Sequence, residues 1–184
     1  MAQSTPHAAP HATATVVSIV GSASDEVLAD LSHLRNVHAL PLRAVDAPLA
    51  SARIAASTAT YVVHDTDPLV HVAAAWVEFF DDRSTLGALE VEVDEAVGAF
   101  ANGTSFMPDY YVVLEPEAIE GTWRHWWLGA LAHAAPTRVL PVTGDASEVR
   151  SLLRRLPTGR PWPAPDSWLR ALQYDVPDRV GLTA

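Results

Sequence analysis

The chain has no cysteine and no lysine: all 12 basic residues are arginine, set against 22 acidic ones. Without cysteine there is no disulfide, no thiolate nucleophile and no cysteine–zinc site, and the absence fits a cytoplasmic location. A formal net charge of −10 argues against nonspecific binding to nucleic acid or to an anionic membrane. No apolar run approaches the roughly 20 residues that a membrane-spanning helix needs. Positions 1–13 mix Ser, Thr, Pro, His and Ala. They carry neither a charged n-region nor an apolar h-region, so 1–14 reads as a flexible tail rather than a signal peptide. The missing lysine, beside abundant alanine, fits a GC-rich coding sequence rather than a mechanism.

What is present is a globular composition. Of 184 residues, 49% are apolar and 18% charged, enough to bury the core of one domain. The opening unit sets the class. Val16, Val17, Ile19 and Val20 form an apolar run that ends at Gly21-Ser22-Ala23-Ser24-Asp25. Val27, Leu28, Leu31 and Leu34 follow at helical spacing. Strand, polar turn and helix in that order open a doubly wound α/β fold, whose ligands sit at the carboxyl ends of the strands.

Apolar runs at 15–20, 37–42, 60–63, 110–114 and 138–142 read as parallel strands covered on both faces. Helical patterns occupy 25–34, 49–57, 68–80 and 121–133, and a further one 147–156. Between them Leu86, Leu89, Val93, Val97 and Phe100 share one face of a helix that Ser84 can cap. The alternation Leu89-Glu90-Val91-Glu92-Val93 also fits a strand, but the longer period favours helix. The expectation is a three-layer α/β sandwich on a five-stranded parallel sheet over 15–156. A proline-stiffened segment from 157 and a short helix capped by Asp166 would follow, packed on the domain or on a partner.

Candidate chemistry gathers at the predicted carboxyl edge. Gly21, Ser22, Ser24 and Asp25 can present N–H groups and hydroxyls at a helix N-terminus; Asp25 is equally suited to cap that helix. No G-x-G-x-x-G or G-x-x-x-x-G-K-[ST] pattern supports classical dinucleotide or P-loop binding. The third strand ends in His64-Asp65-Thr66-Asp67, with His71 beyond. That density of imidazole and carboxylate suits a divalent metal, but alternation along a strand sends His64 and Asp65 to opposite sides, and no metal is expected. Asp67 also suits the cap of the helix opening at Pro68. Asp25, Asp65, Asp67, Glu115, Glu117 and Asp145 make an acidic rim that repels polyphosphate. The rim still accepts ribose hydroxyls or a cationic ring.

The rhythm Ser18-Ile19-Val20-Gly21-Ser22-Ala23-Ser24-Asp25-Glu26-Val27-Leu28 resembles the opening of bacterial TIR (Toll/interleukin-receptor) domains and of the related nucleoside deoxyribosyltransferase-like group. The stretch from Ala52 to Val63 resembles that family's helix running into its third strand. The resemblance spans roughly 16–142 and implies a flavodoxin-like, TIR-like fold. It implies a protein-interaction or signalling module without catalysis as the first reading. The second is an enzyme that cleaves NAD as substrate, with a glutamate on a helix after the third strand working against the ribose. Glu78, close after Trp76, and Glu90, behind Ser84 and Thr85, are the matching candidates. Glu90 lies beside the apolar helix face, whereas Glu92 and Glu95 are expected to project further towards solvent. The third reading is an unrelated accessory flavodoxin-like domain.

Trp123, Trp127, Ala130 and Leu131 can form a stripe facing the sheet, with Trp126 at its edge and available to a partner. Arg154, Arg155 and Arg160 form the basic cluster. With Pro161-Trp162-Pro163 it suggests docking on an acidic protein or, preferably, back on this chain's own surface. Self-association or a protein partner is therefore expected.

Overall fold

A computed structural model describes residues 14–143, 145–156 and 162–175. The expected tail over 1–13 and the proline segment 157–161, with Arg160, lie outside the described residues. Strands β1 (Thr15–Val20), β2 (Val37–Leu40), β3 (Tyr61–His64), β4 (Tyr110–Leu114) and β5 (Val139–Val142) form one sheet in the order β2-β3-β1-β4-β5. Every pairing between neighbours is parallel. The three-layer α/β class is thus as expected. Within it β3 lies between β1 and β2, whereas the flavodoxin order is 2-1-3-4-5.

β1 is paired on both edges and covered on both faces, which explains why it is Val and Ile from 16 to 20 except at Ser18. Helices α1 (Ser24–Leu31) and α7 (Ala146–Leu153) cover one face, over Val17, Ile19, Val112 and Val142. The other face carries α2 (Ala47–Ala55), packed on Val16 and Val62. It also carries α3 (Val70–Phe80) and α4 (Leu86–Ala101) over Val20, Tyr111 and Val113. The β1→β2 connection runs one way along the sheet and the β2→β3 and β3→β4 connections run the other. Right-handed crossovers therefore place their helices on opposite faces.

α3 is apolar nearly all round because it lies between the sheet and α4. Val72, Ala73, Ala75, Trp76 and Val77 are all buried. In α4 the helical alternative prevails over the strand. Thr85, not Ser84, caps it by accepting from the Ala88 N–H at 3.4 Å. Asp25 is likewise not a cap: it lies in the first turn of α1, and the N-cap residue is Ala23. Ala164, not Asp166, precedes the short helix α8 (Pro165–Leu169), in which Asp166 pairs with Arg170 at 2.6 Å. Among the described residues no helix is long and apolar enough to cross a membrane.

The tryptophan helix departs most from expectation. It starts as α5 (Gly121–His125), continues as a π-helical segment Trp126–Leu131 and ends as α6 (Ala132–Ala134). Bonding from i to i+5 turns each residue through a smaller angle than an α-helix does. Trp126, Trp127, Ala130 and Leu131 thereby gather into one buried arc. Trp126 is 0% exposed and sits 5.7 Å from the Trp76 ring, so it is a core residue and not a partner-binding one. Trp123 is the half-buried member of the group. The described part of the C-terminal segment packs on the domain through its aromatics rather than through the basic cluster. Trp162 donates to the Pro108 carbonyl at 2.8 Å and stacks on Trp168, while Trp76 donates to the Leu172 carbonyl at 3.0 Å. Arg154 and Arg155 are exposed at the end of α7.

Two substitutions test this packing. Trp126→Ala empties a filled site and is expected to cost about 3–5 kcal/mol in urea unfolding; an exposed tryptophan would cost almost nothing. At Gly21, φ is +122° and an added Cβ would lie 2.7 Å from the Leu114 carbonyl oxygen. Gly21→Ala is expected to cost about 2 kcal/mol or more, lowering Tm by roughly 4–8 °C.

Candidate functional site

The carboxyl ends of β1 and β3 are adjacent, and the helices that follow them leave to opposite faces, which opens a crevice there. Asp65 shapes one wall. Its carboxylate accepts from the backbone N–H groups of Leu42 and Arg43 at 2.5 and 3.0 Å, clamping the chain that leaves β2. Arg43 extends the clamp across the crevice. It donates to Ser24 Oγ and lies 3.9 Å from both Asp25 and Asp65. Ser22 donates to Glu115 at 3.3 Å, so the first turn and the end of β4 share this edge. Gly21, Ser22, Ser24, Asp25, His64 and Asp65, proposed from the sequence as ligand-binding, thus stand at one edge of the sheet. Their roles differ. Ser24 and Asp65 are buried and engaged in holding the turn and the loop, and Ser22 and Asp25 are exposed.

His64 and Asp67 behave otherwise. His64 leaves β3 on the side opposite Asp65, as strand alternation requires, and is 2% exposed. Neither ring nitrogen makes a well-formed hydrogen bond, the Thr66 backbone supplying a weak one at most. Burial lowers its pKa to about 4, with the Thr66 backbone and the Asp65 charge opposing only in part. At neutral pH His64 is therefore an uncharged imidazole. Asp67 accepts at Oδ1 from the Leu69 N–H at 3.0 Å and from the Tyr111 hydroxyl at 2.8 Å. Its Oδ2 is buried without a partner. Burial raises the Asp67 pKa to about 6 despite those donors and the nearby His71. Burial and the adjacent Asp67 also push Tyr111 well above its usual value, so it remains a neutral donor. Ser18 fixes the strand end by donating to the Thr66 carbonyl at 2.8 Å.

Both residues line a cavity of about 450 Å³ enclosed by α2, α3, α4 and the end of β3. Asp46, Glu92, Glu95, Arg43 and His71 contribute further polar groups, and Ile54, Val72, Ala96, Ala99 and Phe106 an apolar wall. A second crevice of about 310 Å³ shares Arg43, Thr66, Asp67 and Val70 with the first, and adds Gly21, Trp123 and Trp127. The sequence reading missed Glu92 and Glu95. Both were expected towards solvent; Glu95 is exposed as expected and Glu92 is half-buried, and both also line the cavity with Ala96 and Ala99. Glu90 is exposed, which corrects the expected partial burial, and lines a separate groove against Leu169 and Arg170. Glu78 is exposed near the end of α3 and lines none of these three spaces. The usable signal was the run Ala96–Ala99, whose small side chains leave room beside the sheet. Among the described residues no group of three or more His, Asp or Glu is placed to hold a metal ion.

Comparisons of the chain with protein-family models, with curated proteins and with solved structures return no match.

The two buried groups have opposite pH signatures. Asp67 is raised from 3.8 to about 6, so the native state binds its proton more tightly and stability falls as pH rises through that interval. His64 is lowered from 6.5 to about 4, so stability rises with pH from about 4 to 6.5. In the intact protein the two contributions largely offset each other. Relative to it, Asp67→Asn is expected to gain stability as pH rises from 4 to 6. His64→Gln is expected to gain as pH falls from 6.5 to 4. Urea unfolding at pH 4, 5, 6 and 7 reads both slopes.

Proposed function

We propose that this chain is a binding domain for a small unphosphorylated molecule, held at the carboxyl edge of β3 between α2, α3 and α4. One observation carries the reading: a buried imidazole whose acceptor nitrogen has no donor, in the wall of a 450 Å³ cavity. A buried polar group without a partner costs about 1–3 kcal/mol, and such groups call for a specific explanation, for which a ligand is the natural one. The volume lies within the range of small-molecule sites, as does the mixture of an apolar wall with a few polar groups. Asp46, Asp67, Glu92 and Glu95 disfavour a phosphorylated ligand.

This reading differs from the two that follow from the TIR resemblance. The interaction module was to present Trp126, Arg154, Arg155 and Arg160; Trp126 is inside the core, while Arg154 and Arg155 are exposed. The NAD-cleaving reading relied on Glu78 or Glu90, and neither lines the crevices at β3. A reaction at this edge would instead draw on Glu92, Glu95 or Asp67.

Calorimetric titration of the full chain with sugars, nucleosides and amines, and with phosphorylated counterparts, tests the proposal. At least one unphosphorylated class is expected to bind, with the phosphorylated forms much weaker. Ala99→Phe fills the cavity and is expected to abolish binding while Tm changes little. Release of nicotinamide from NAD that disappears in Glu78→Gln or Glu90→Gln would replace this reading with the enzymatic one.

A further inference from the structure

Resting on that binding site, we infer that its ligand is an organic cation of the amine or amidine class rather than a neutral sugar or nucleoside. Four carboxylates, those of Asp46, Asp67, Glu92 and Glu95, line the main cavity. Arg43, the arginine in its wall, already has its charge directed to Asp25 and Asp65 and its donor to Ser24. It is therefore turned towards the clamp and leaves the carboxylates without full compensation.

The second observation is His64, which is not one of those carboxylates. His64, 2% exposed, offers an uncharged ring whose acceptor nitrogen has no donor, and Asp67 Oδ2 beside it has none either. An ammonium or amidinium group is donor-only, so it can satisfy the imidazole acceptor and Asp67 Oδ2 without leaving a new unpaired acceptor of its own, the ring N–H being left to the Thr66 backbone. Sugar hydroxyls both donate and accept, and would bring further acceptors into a wall already rich in them.

The adjoining crevice favours the same chemistry. Trp123 and Trp127 line it, and it shares Arg43, Thr66, Asp67 and Val70 with the main cavity as lining residues. Indole faces attract cations, more strongly where water is excluded. Apolar groups on α2 and α4 suit a methylene stem.

Titration of the full chain with spermidine and agmatine, with adenosine and ribose as neutral probes, tests the inference at about 0.15 M salt, where the screening length is about 8 Å. One cation is expected to bind saturably. The Glu92→Gln/Glu95→Gln double variant should weaken it by about tenfold or more, as loss of charge-assisted hydrogen bonds does. Glu26→Gln/Asp30→Asn, which removes the same charge from α1 on the opposite face of the sheet, should leave binding unchanged. Equal weakening in the two variants would mean only general attraction to an acidic protein and would overturn the inference. Binding of adenosine or ribose without either cation would overturn the inference and leave the binding-domain reading standing. Absence of binding by every probe, here and in the broader panel, would overturn both.

Discussion

Everything in this molecule is arranged around the burial of β1. A central parallel strand has neighbours on both edges and helices on both faces, so its side chains find no water and must be apolar almost throughout. Ser18 is the buried exception, and its hydroxyl is satisfied by the Thr66 carbonyl. Because parallel strands need crossovers, and crossovers are right-handed, covering β1 forces successive helices apart at its carboxyl end. The crevice that results is a geometric consequence of burying this strand. The same constraint explains Gly21. The chain turns away from β1 so close to the Leu114 carbonyl that a side chain has no room.

Around that crevice, polar residues that look alike in sequence divide into two kinds. Asp65 has Oδ1 filled by the Leu42 and Arg43 N–H groups and Oδ2 turned to the Arg43 guanidinium 3.9 Å away, and serves to shape the loop. Asp67, two residues on, has one oxygen filled and one empty, and His64 has an acceptor nitrogen without a donor. In a low-dielectric setting a satisfied group rigidifies the structure, whereas an unsatisfied one is held at a cost. The distinction between scaffold and site therefore rests on the count of missing partners, and a carboxylate's position along the strand decides it.

The far side of the same sheet face is closed by aromatics. Trp76, Trp126, Trp127, Tyr111, Trp162 and Trp168 form a connected set of rings at centroid separations from 5.7 to 6.3 Å. The C-terminal segment is part of that set, anchored through the Trp76–Leu172 hydrogen bond and the Arg170–Asp94 ion pair at 2.6 Å. The ion pair is exposed and contributes little; the indoles supply the burial. Tyr111 joins the two regions, with its ring among the tryptophans and its hydroxyl on Asp67.

The amino-acid sequence by itself determined the class of fold, the strands at 15–20 and 110–114, and the gathering of polar residues at one edge. Each of those follows from local patterning: apolar runs, turn residues and helical periods act over a few positions. Tertiary structure decided what lies beyond that range. The place of β3 between β1 and β2 depends on crossover direction, not on any segment's own residues. Burial of Trp126 depends on a π-helical turn that tertiary packing favours, and the α-helical wheel put it at an edge. That Glu92 and Glu95 border one cavity and Glu90 a separate groove depends on how α4 packs against its neighbours, since all three lie on the polar side of one helix.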